Sequence, residues 1–200
     1  AVRQVATLMK KGKYEGECTI YCHDLVLKLL TLMCNEMLPG KFTAFFGDRI
    51  HFQEVYDGDS VTINHMKVTF FDIGSTKAKQ FGFQAILPDG QSFVCLGDEP
   101  FAEITRPYVV DCDWLMSEAF CLYADREQFK PYEKHHSTAL DAGRMAEELG
   151  AKHLILYHTE DTDLTHRKEN YSKEAAEGFH GTIYVPDDLD VIECTIEETT

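Results

Sequence analysis

The sequence predicts an α+β fold in which β-rich and α/β parts form a layered sandwich. Two observations support this class. Residues 45–94 contain short β-type segments separated by turns, a pattern that is typical of antiparallel strands. Residues 17–39 and 134–160 instead combine strand and helix patterns, as α/β units do. Because 200 residues can bury a full core and no linker or repeat interrupts them, we predict a single domain over residues 1–200.

The individual elements follow from apolar spacing and from cap and turn residues. Helices are predicted where apolar residues recur every three or four positions, and strands where short apolar runs lie between Gly, Pro or Asp turns. The predicted helices run from Val2 to a stop at Gly12, from Asp24 to near Pro39, from Thr138 to Gly150, and from Ser172 to Phe179. The predicted strands are residues 17–22, 50–55, 61–63, 66–71, 81–87, 93–96, 114–116, 154–157, 182–185 and 191–194.

The stretch 134–160 is the best-defined of these units. Thr138, with Asp141 three residues later, fits a capping box at a helix start, and Gly150 ends that helix. The apolar strand that follows stops abruptly at His158. Open α/β sheets place their ligands beyond the carboxyl ends of the strands, so His158 lies where a site is expected.

Charge and cysteine content restrict the function. With 34 acidic and 19 basic residues, the formal charge is −15, which argues against broad electrostatic binding to nucleic acid or anionic membranes. A local basic site is compatible with this charge, and an acidic pocket would suit divalent cations.

The seven cysteines include no C-x-x-C pair, and we predict reduced thiols. No run approaches the roughly 18 apolar residues of a membrane span, and we predict a cytoplasmic protein without membrane contact.

Four residues able to bind a metal or move protons lie at the ends of predicted elements. Asp98, Glu118 and His158 follow apolar strands, and His136 precedes a helix. Carboxylate and imidazole groups bind zinc, manganese or iron, and a metal-bound water can become a hydroxide nucleophile near neutral pH. Each residue also has a simpler interpretation, as a turn residue, a hydrogen-bonded strand-end histidine or an exposed loop residue. Their coincidence at element ends favours a site.

Two further segments are weaker candidates. Residues 22–24, Cys-His-Asp, look like a nucleophile cluster, but neighbouring strand residues point to opposite faces and Asp24 is a better helix cap than catalyst. Residues 74–79, GSTKAK, lack the spacing of a phosphate-binding loop. Lys77 and Lys79 therefore belong either to a solvated loop or to a substrate contact.

The motifs around the four residues resemble those of a known family. LGD at 96–98, WLMSEAF at 114–120, HSTA at 136–139 and LILYHT at 154–159 are similar, in order and spacing, to the C-terminal motifs of the metallo-β-lactamase fold in its ribonuclease Z-like branch. The resemblance spans about residues 45–194. It implies an αββα sandwich, with two mixed sheets inside and helices outside.

The resemblance also implies a role for each residue. Asp98 would bridge two divalent metal ions, with zinc as the first choice and manganese or iron as alternatives, and His158 would be the last histidine ligand. His136 and Glu118 would form the dyad that binds the phosphate and protonates the leaving group.

The sequence departs from the family pattern at several points. The first metal motif, His-x-His-x-Asp-His, occurs nowhere in the 200 residues, and we expect that an N-terminal segment with this motif and the first strands is missing. Gly74 or a neighbour replaces a family histidine before the loop 74–79, and Ser117 replaces the one ahead of Glu118. An incomplete sheet would expose an unpaired edge that invites pairing with a second copy, as in a homodimer.

We therefore expect a metal-dependent hydrolase of a small phosphodiester or other ester, with RNA as a further substrate class. Two alternatives stay open. One is an inactive binding or regulatory module of the same fold, which the missing histidines favour. The other is a lactone or thioester hydrolase, which would not need the His136 and Glu118 pair.

Overall fold

The computed structural model describes residues 1–194, in which the contacts divide the chain into two compact units. One unit comprises Ala1–Asp57, and the other begins at Gly58. The single-domain organisation expected from the sequence stays a prediction. No helix among the described residues is both long and apolar enough to span a membrane.

The first unit is built on a two-stranded parallel sheet. Its elements are α1 (Val2–Lys10), β1 (Cys18–Cys22), α2 (Asp24–Met37), α3 (Gly40–Thr43) and β2 (Ile50–Glu54). Strands β1 and β2 pair in parallel, with Cys18 opposite Ile50. The apolar face of α1 packs on this sheet, and Ala6, Met9, Phe42 and Ile50 form the buried cluster.

The pairing of β2 corrects one prediction. Residues 50–55 were expected to pair antiparallel with the following strands, whereas β2 pairs in parallel with β1. A parallel pair needs a long crossover, and α2 and α3 supply it between the two strands. Local turn signals do not report such a distant partner, so the sequence pattern missed it.

The second unit is built on a seven-stranded mixed sheet in the order β3-β4-β5-β6-β7-β8-β9. Its strands are β3 (Ser60–Ile63), β4 (Met66–Asp72), β5 (Phe81–Ile86), β6 (Ser92–Cys95), β7 (Trp114–Glu118), β8 (His153–Tyr157) and β9 (Thr182–Tyr184). Strands β3 to β6 pair antiparallel, as the turns between them predict. Strands β6 to β9 pair in parallel.

Helices cover the parallel part of this sheet. They are α4 (Arg106–Val109), α5 (Arg126–Phe129), α6 (Ala139–Glu148) and α7 (Arg167–Ala175). The capping box at the start of α6 is confirmed, because the Thr138 side chain accepts a hydrogen bond from the Asp141 amide and the Asp141 carboxylate accepts one from the Thr138 amide. The core lies between α6, α7 and the central strands, where Leu115, Leu154 and Ala146 are fully buried.

Three predicted element boundaries were wrong. Ser172 lies inside α7 and does not cap a helix, because the helix begins five residues earlier at Arg167. Residues 191–194 form no strand, and Val191 is exposed. Strand β7 extends through Ser117 to Glu118, because both residues pair with β8.

Candidate metal and acid–base site

The parallel arrangement of β6, β7 and β8 brings their carboxyl ends to one edge of the sheet. Asp98 follows β6, Glu118 ends β7 and His158 follows β8. The segment before α6 joins the same edge, because the Phe120 amide donates to the Ser137 carbonyl and the Ala139 amide donates to the Cys121 carbonyl. These bonds place His136 beside the ends of the strands.

Three of the four predicted site residues meet at this edge. One ligand atom from each of Glu118, His136 and His158 lies within 4.8 Å of the others. The rings of His136 and His158 are 5.0 Å apart between centroids, and Phe120 stacks on His136 at 4.9 Å. Asp98 lies outside this group but close enough for its charge to act on His136.

Glu118 is the buried end of the site. Its side chain has no exposed surface. Its Oε1 atom accepts hydrogen bonds from the amide of Ser137 at 2.5 Å and the hydroxyl of Ser137 at 2.8 Å, and Oε2 accepts one from the Phe120 amide at 3.1 Å. Burial raises the pKa of Glu118 to about 7, although these hydrogen bonds oppose the rise. The carboxyl group therefore changes its protonation near neutral pH.

His136 connects Glu118 to the open side of the site. Its side chain is 11% exposed, and its Nδ1 lies 3.5 Å from Glu118 Oε2, too far for a well-formed hydrogen bond. Burial lowers the pKa of His136, the positive charge of Lys77 and the neighbouring His158 lower it further, and Asp98 and Glu99 oppose them. The neutral imidazole is thus the favoured form.

His158 takes an unusual backbone conformation. Its φ is 53°, in the left-handed region that non-glycine residues seldom adopt. Such a conformation costs of the order of 1–3 kcal/mol and persists where the surrounding structure enforces it, often at functional sites. Here the buried strand β8 ends immediately before His158, and the Tyr157 hydroxyl donates a hydrogen bond to the Gly97 carbonyl. That bond ties the end of β8 to the loop that carries Asp98.

Two further charged residues lie at this edge: Glu99, which sequence reasoning missed, and Lys77, which it left with two interpretations. Lys77 Nζ lies 3.3 Å from His136 Nε2 and 4.0 Å from Glu99 Oε1. Glu99 is almost fully buried, which a carboxylate seldom is without a partner. The only sequence signal was the lysine-containing loop 74–79, for which a substrate contact was one of two interpretations.

Comparison with curated proteins finds ribonuclease Z. The chain is 35% identical over 104 residues to ribonuclease Z of Halorubrum lacusprofundi and 34% identical over 105 residues to that of Myxococcus xanthus. These alignments cover 52% and 48% of this chain, and the chain spans about a third of the length of the curated relatives it matches. No family model matches the sequence. The predicted resemblance to the ribonuclease Z-like branch is confirmed.

Solved structures share the architecture. The metallo-β-lactamase fold protein YhfI of Bacillus subtilis superimposes with a TM-score of 0.69 at 20% identity, covering 92% of this chain and 68% of that one. The chain has the metallo-β-lactamase fold. The short form of human tRNase Z gives a TM-score of 0.63 at 18% identity, covering 96% of this chain and 74% of that one.

Within this metallo-β-lactamase fold, the clustered residues fit a divalent metal ion in their donor chemistry. One carboxylate and two imidazoles are ligands that zinc, iron and manganese accept. A carboxylate offers about four lone pairs. Glu118 accepts two hydrogen bonds at Oε1 and one at Oε2, so one lone pair of Oε2 is left for a metal ion. The buried His136 Nδ1 makes no hydrogen bond to any described residue. Glu118, His136 and His158 could therefore hold one ion, while the ligand pair Asp98 and His158 stays a prediction.

The raised pKa of Glu118 predicts how the stability of the metal-free chain depends on pH. Burial favours the neutral form of the Glu118 carboxyl group. The contribution of this group to the stability of the folded chain is therefore complete below about pH 4.5 and is lost as the pH rises through about 7. A shift from 4.5 to about 7 corresponds to at most about 3 kcal/mol of unfolding free energy. Urea unfolding of the EDTA-treated protein at pH 5.5 and pH 8.5 measures about 2 kcal/mol of this difference, because part of the effect is already lost between pH 4.5 and pH 5.5.

The matched control for that measurement is Glu118→Gln, which cannot ionise. We expect the pH-dependent part of the unfolding free energy to shrink in this variant, although its absolute stability changes as well. An unchanged pH dependence would show that Glu118 does not titrate in this range.

Proposed function

We propose that this chain carries part of the catalytic site of a metal-dependent phosphodiester hydrolase of the ribonuclease Z type. The observation that supports this proposal is the grouping of Glu118, His136 and His158 at the carboxyl edge of the parallel strands. A buried carboxyl group, an imidazole and a further exposed imidazole are the parts that acid–base catalysis beside a metal ion requires. The resemblance to proteins named ribonuclease Z agrees with it.

In the proposed mechanism, His136 and Glu118 act on the leaving group. Glu118 lies behind His136 on its Nδ1 side, with Oε2 at 3.5 Å from Nδ1. Nε2 of His136 faces the more open side, where it would first take up a proton from solvent and then deliver that proton to the departing oxygen. Glu118 stabilises the imidazolium form while the proton is held. A bound metal ion would supply the activated water for attack.

Metal binding is proposed for Asp98 and His158, with zinc as the first candidate and manganese or iron as alternatives. Both residues are more exposed than Glu118, so they can exchange water for an ion at lower cost. His158 can belong to this pair or to the group with His136 and Glu118, whose ligand atoms lie within 4.8 Å of its own.

The substrate class that we propose is a phosphodiester, either a small one or RNA. The names of the curated relatives favour RNA. The net charge of −15 instead favours a small phosphoester over RNA, because an acidic chain repels a polyanion over most of its surface.

A second candidate function is a binding module without turnover. Lys77 favours it, because its ammonium group lies 3.3 Å from Nε2 of His136 and would repel a divalent cation at that nitrogen. In this case the fold would bind an anion at the same edge but would not hydrolyse it.

Metal content and hydrolysis together test the two candidates. We expect the purified protein, reconstituted with zinc, manganese or iron, to bind metal and to hydrolyse bis(p-nitrophenyl) phosphate, and EDTA to abolish the reaction. Mass spectrometry of the metal content and release of nitrophenol measure these outcomes. A protein that binds no metal and releases no nitrophenol would contradict the hydrolase and support the binding module.

A further inference from the structure

The loop between β4 and β5 is folded so that Lys77 reaches the site. The Gly74 amide donates a hydrogen bond to Asp72 Oδ1 at 2.8 Å, and Gly74 has a φ of 70°. The Ser75 hydroxyl oxygen accepts bonds from the amides of Lys77 at 3.2 Å and Ala78 at 3.4 Å. These local bonds close a tight turn around Ser75. The turn directs Lys77, 59 positions away in sequence, against the ring of His136.

Glu99 holds the lysine from the other side. Its carboxylate lies 4.0 Å from Lys77 Nζ and accepts a hydrogen bond from the Ser75 hydroxyl. The Glu99 side chain is 8% exposed and that of Lys77 is 37% exposed. A buried carboxylate is costly unless it is paired, so Glu99 and Lys77 stabilise each other. The ammonium group is thereby fixed at the edge of the site, with about a third of its side chain still open to solvent.

The contact between Lys77 and His136 defines the state of the imidazole. An ammonium group has only donors, so Nε2 of His136 must be the acceptor in this contact. In the metal-free chain the ring is then neutral and carries its proton on Nδ1, which faces Glu118. Nε2 and the ammonium of Lys77 thus lie side by side at the open end of the site. An anionic oxygen placed there would accept a hydrogen bond from Lys77.

We propose that Lys77 is a substrate-binding residue that holds a non-bridging phosphate oxygen next to His136. This inference rests on the phosphodiester substrate proposed above. Glu99 and Glu118 are buried beside this point and Asp98 lies nearby, so an incoming phosphate needs a positive charge at close range. Lys77 supplies that charge on the side of His136 that faces away from Glu118. It replaces neither His136 as the acid nor the metal ligands.

Phosphate binding tests this proposal without turnover. Isothermal titration of the metal-free protein with inorganic phosphate is compared for wild type, Lys77→Met and Lys79→Met. Lys79 is the matched control, because it lies in the same loop with its Nζ over the Phe81 ring at 5.3 Å. We expect Lys77→Met to weaken binding at least about tenfold and Lys79→Met to change it less than about twofold. Lys77→Arg should restore a substantial part of the affinity, since it keeps the charge.

A double variant separates the lost contact from a disturbed fold. Lys77→Met alone leaves Glu99 buried and unpaired, so Lys77→Met with Glu99→Gln removes both charges at once. Loss of phosphate binding in the folded double variant supports the proposal. Affinity equal to wild type in either variant, or no phosphate binding by the wild type, overturns it.

Hydrolysis by the metal-loaded protein separates this inference from the proposed function. If wild type hydrolyses bis(p-nitrophenyl) phosphate and Lys77→Met has the same KM and kcat, the hydrolase stands and the role of Lys77 is refuted. If wild type binds phosphate through Lys77 but hydrolyses no phosphodiester, the binding role stands and the hydrolase is refuted. A Lys77→Met variant that binds zinc more tightly, with phosphate affinity unchanged, would show that Lys77 only excludes a cation.

Discussion

Replacing His136 by alanine is expected to lower phosphodiester hydrolysis by about 10²-fold or more. The variant loses the only imidazole that lies next to both the buried Glu118 and Lys77 in the described part of the chain. Because protonation of the leaving oxygen is a transition-state event, kcat should fall more than KM changes. Initial rates with bis(p-nitrophenyl) phosphate, measured for the metal-loaded protein over a range of concentrations, give both constants.

His135→Ala is the matched control for this experiment. His135 is the neighbouring residue and is exposed, and it belongs to none of the contacts that form the site. Its rates should stay within about twofold of wild type. Activity on a lactone or thioester that survives in His136→Ala would instead favour that alternative chemistry, in which no acid is needed at this position. Unchanged phosphodiester hydrolysis in His136→Ala would refute the proposed mechanism.

Among the substitutions, the largest effect on stability is expected for Gly143→Ala, in the middle of α6. A Cβ atom at this position would lie 2.3 Å from the Ala175 carbonyl oxygen and 3.1 Å from the Ala175 Cα, at the crossing of α6 and α7. Alanine is the better helix former by about 1 kcal/mol, but overpacking against backbone costs about 3 kcal/mol. We expect a net loss of about 2 kcal/mol in the free energy of unfolding, measured in urea.

Gly40→Ala provides the comparison for Gly143→Ala. Gly40 begins α3, has an ordinary φ, and a Cβ there would meet nothing within 4 Å. This substitution should leave stability unchanged or raise it by less than about 1 kcal/mol. If Gly143→Ala were as stable as wild type, helices α6 and α7 could not cross as closely as the structure places them.

The sequence predicted the elements with strong local signals. The antiparallel strands β3 to β6 are separated by turn residues, and the start of α6 depends on a bond between Thr138 and Asp141, three positions apart. Both signals are local, so a linear pattern contains them. The start of α7 is different. Arg167 is buried there by bonds to Thr159, the Pro186 carbonyl and Asp187, which are 8 to 20 positions away.

In the candidate site, too, the sequence predicted what local signals specify and missed what distant contacts decide. The sequence singled out Glu118, His136 and His158 because each stands at an element end, and the fold brings them into one group. Asp98 was expected to share a metal with His158, and that pairing stays a prediction. Lys77 was named only as a loop lysine that is either solvated or in contact with substrate, and Glu99 was missed, because neither lies in a recognisable motif.

The sequence by itself determined the fold class, the helix cap at Thr138 and the identity of the groups at the strand ends, because those depend on periodicity and on residues a few positions apart. Only the tertiary structure decided which groups touch. The parallel register of β6, β7 and β8 fixes the ends of three distant strands at one edge, and the turn at Ser75 brings Lys77 to His136. Contacts across 59 positions depend on the packing of the whole sheet, and no local pattern of residues specifies them.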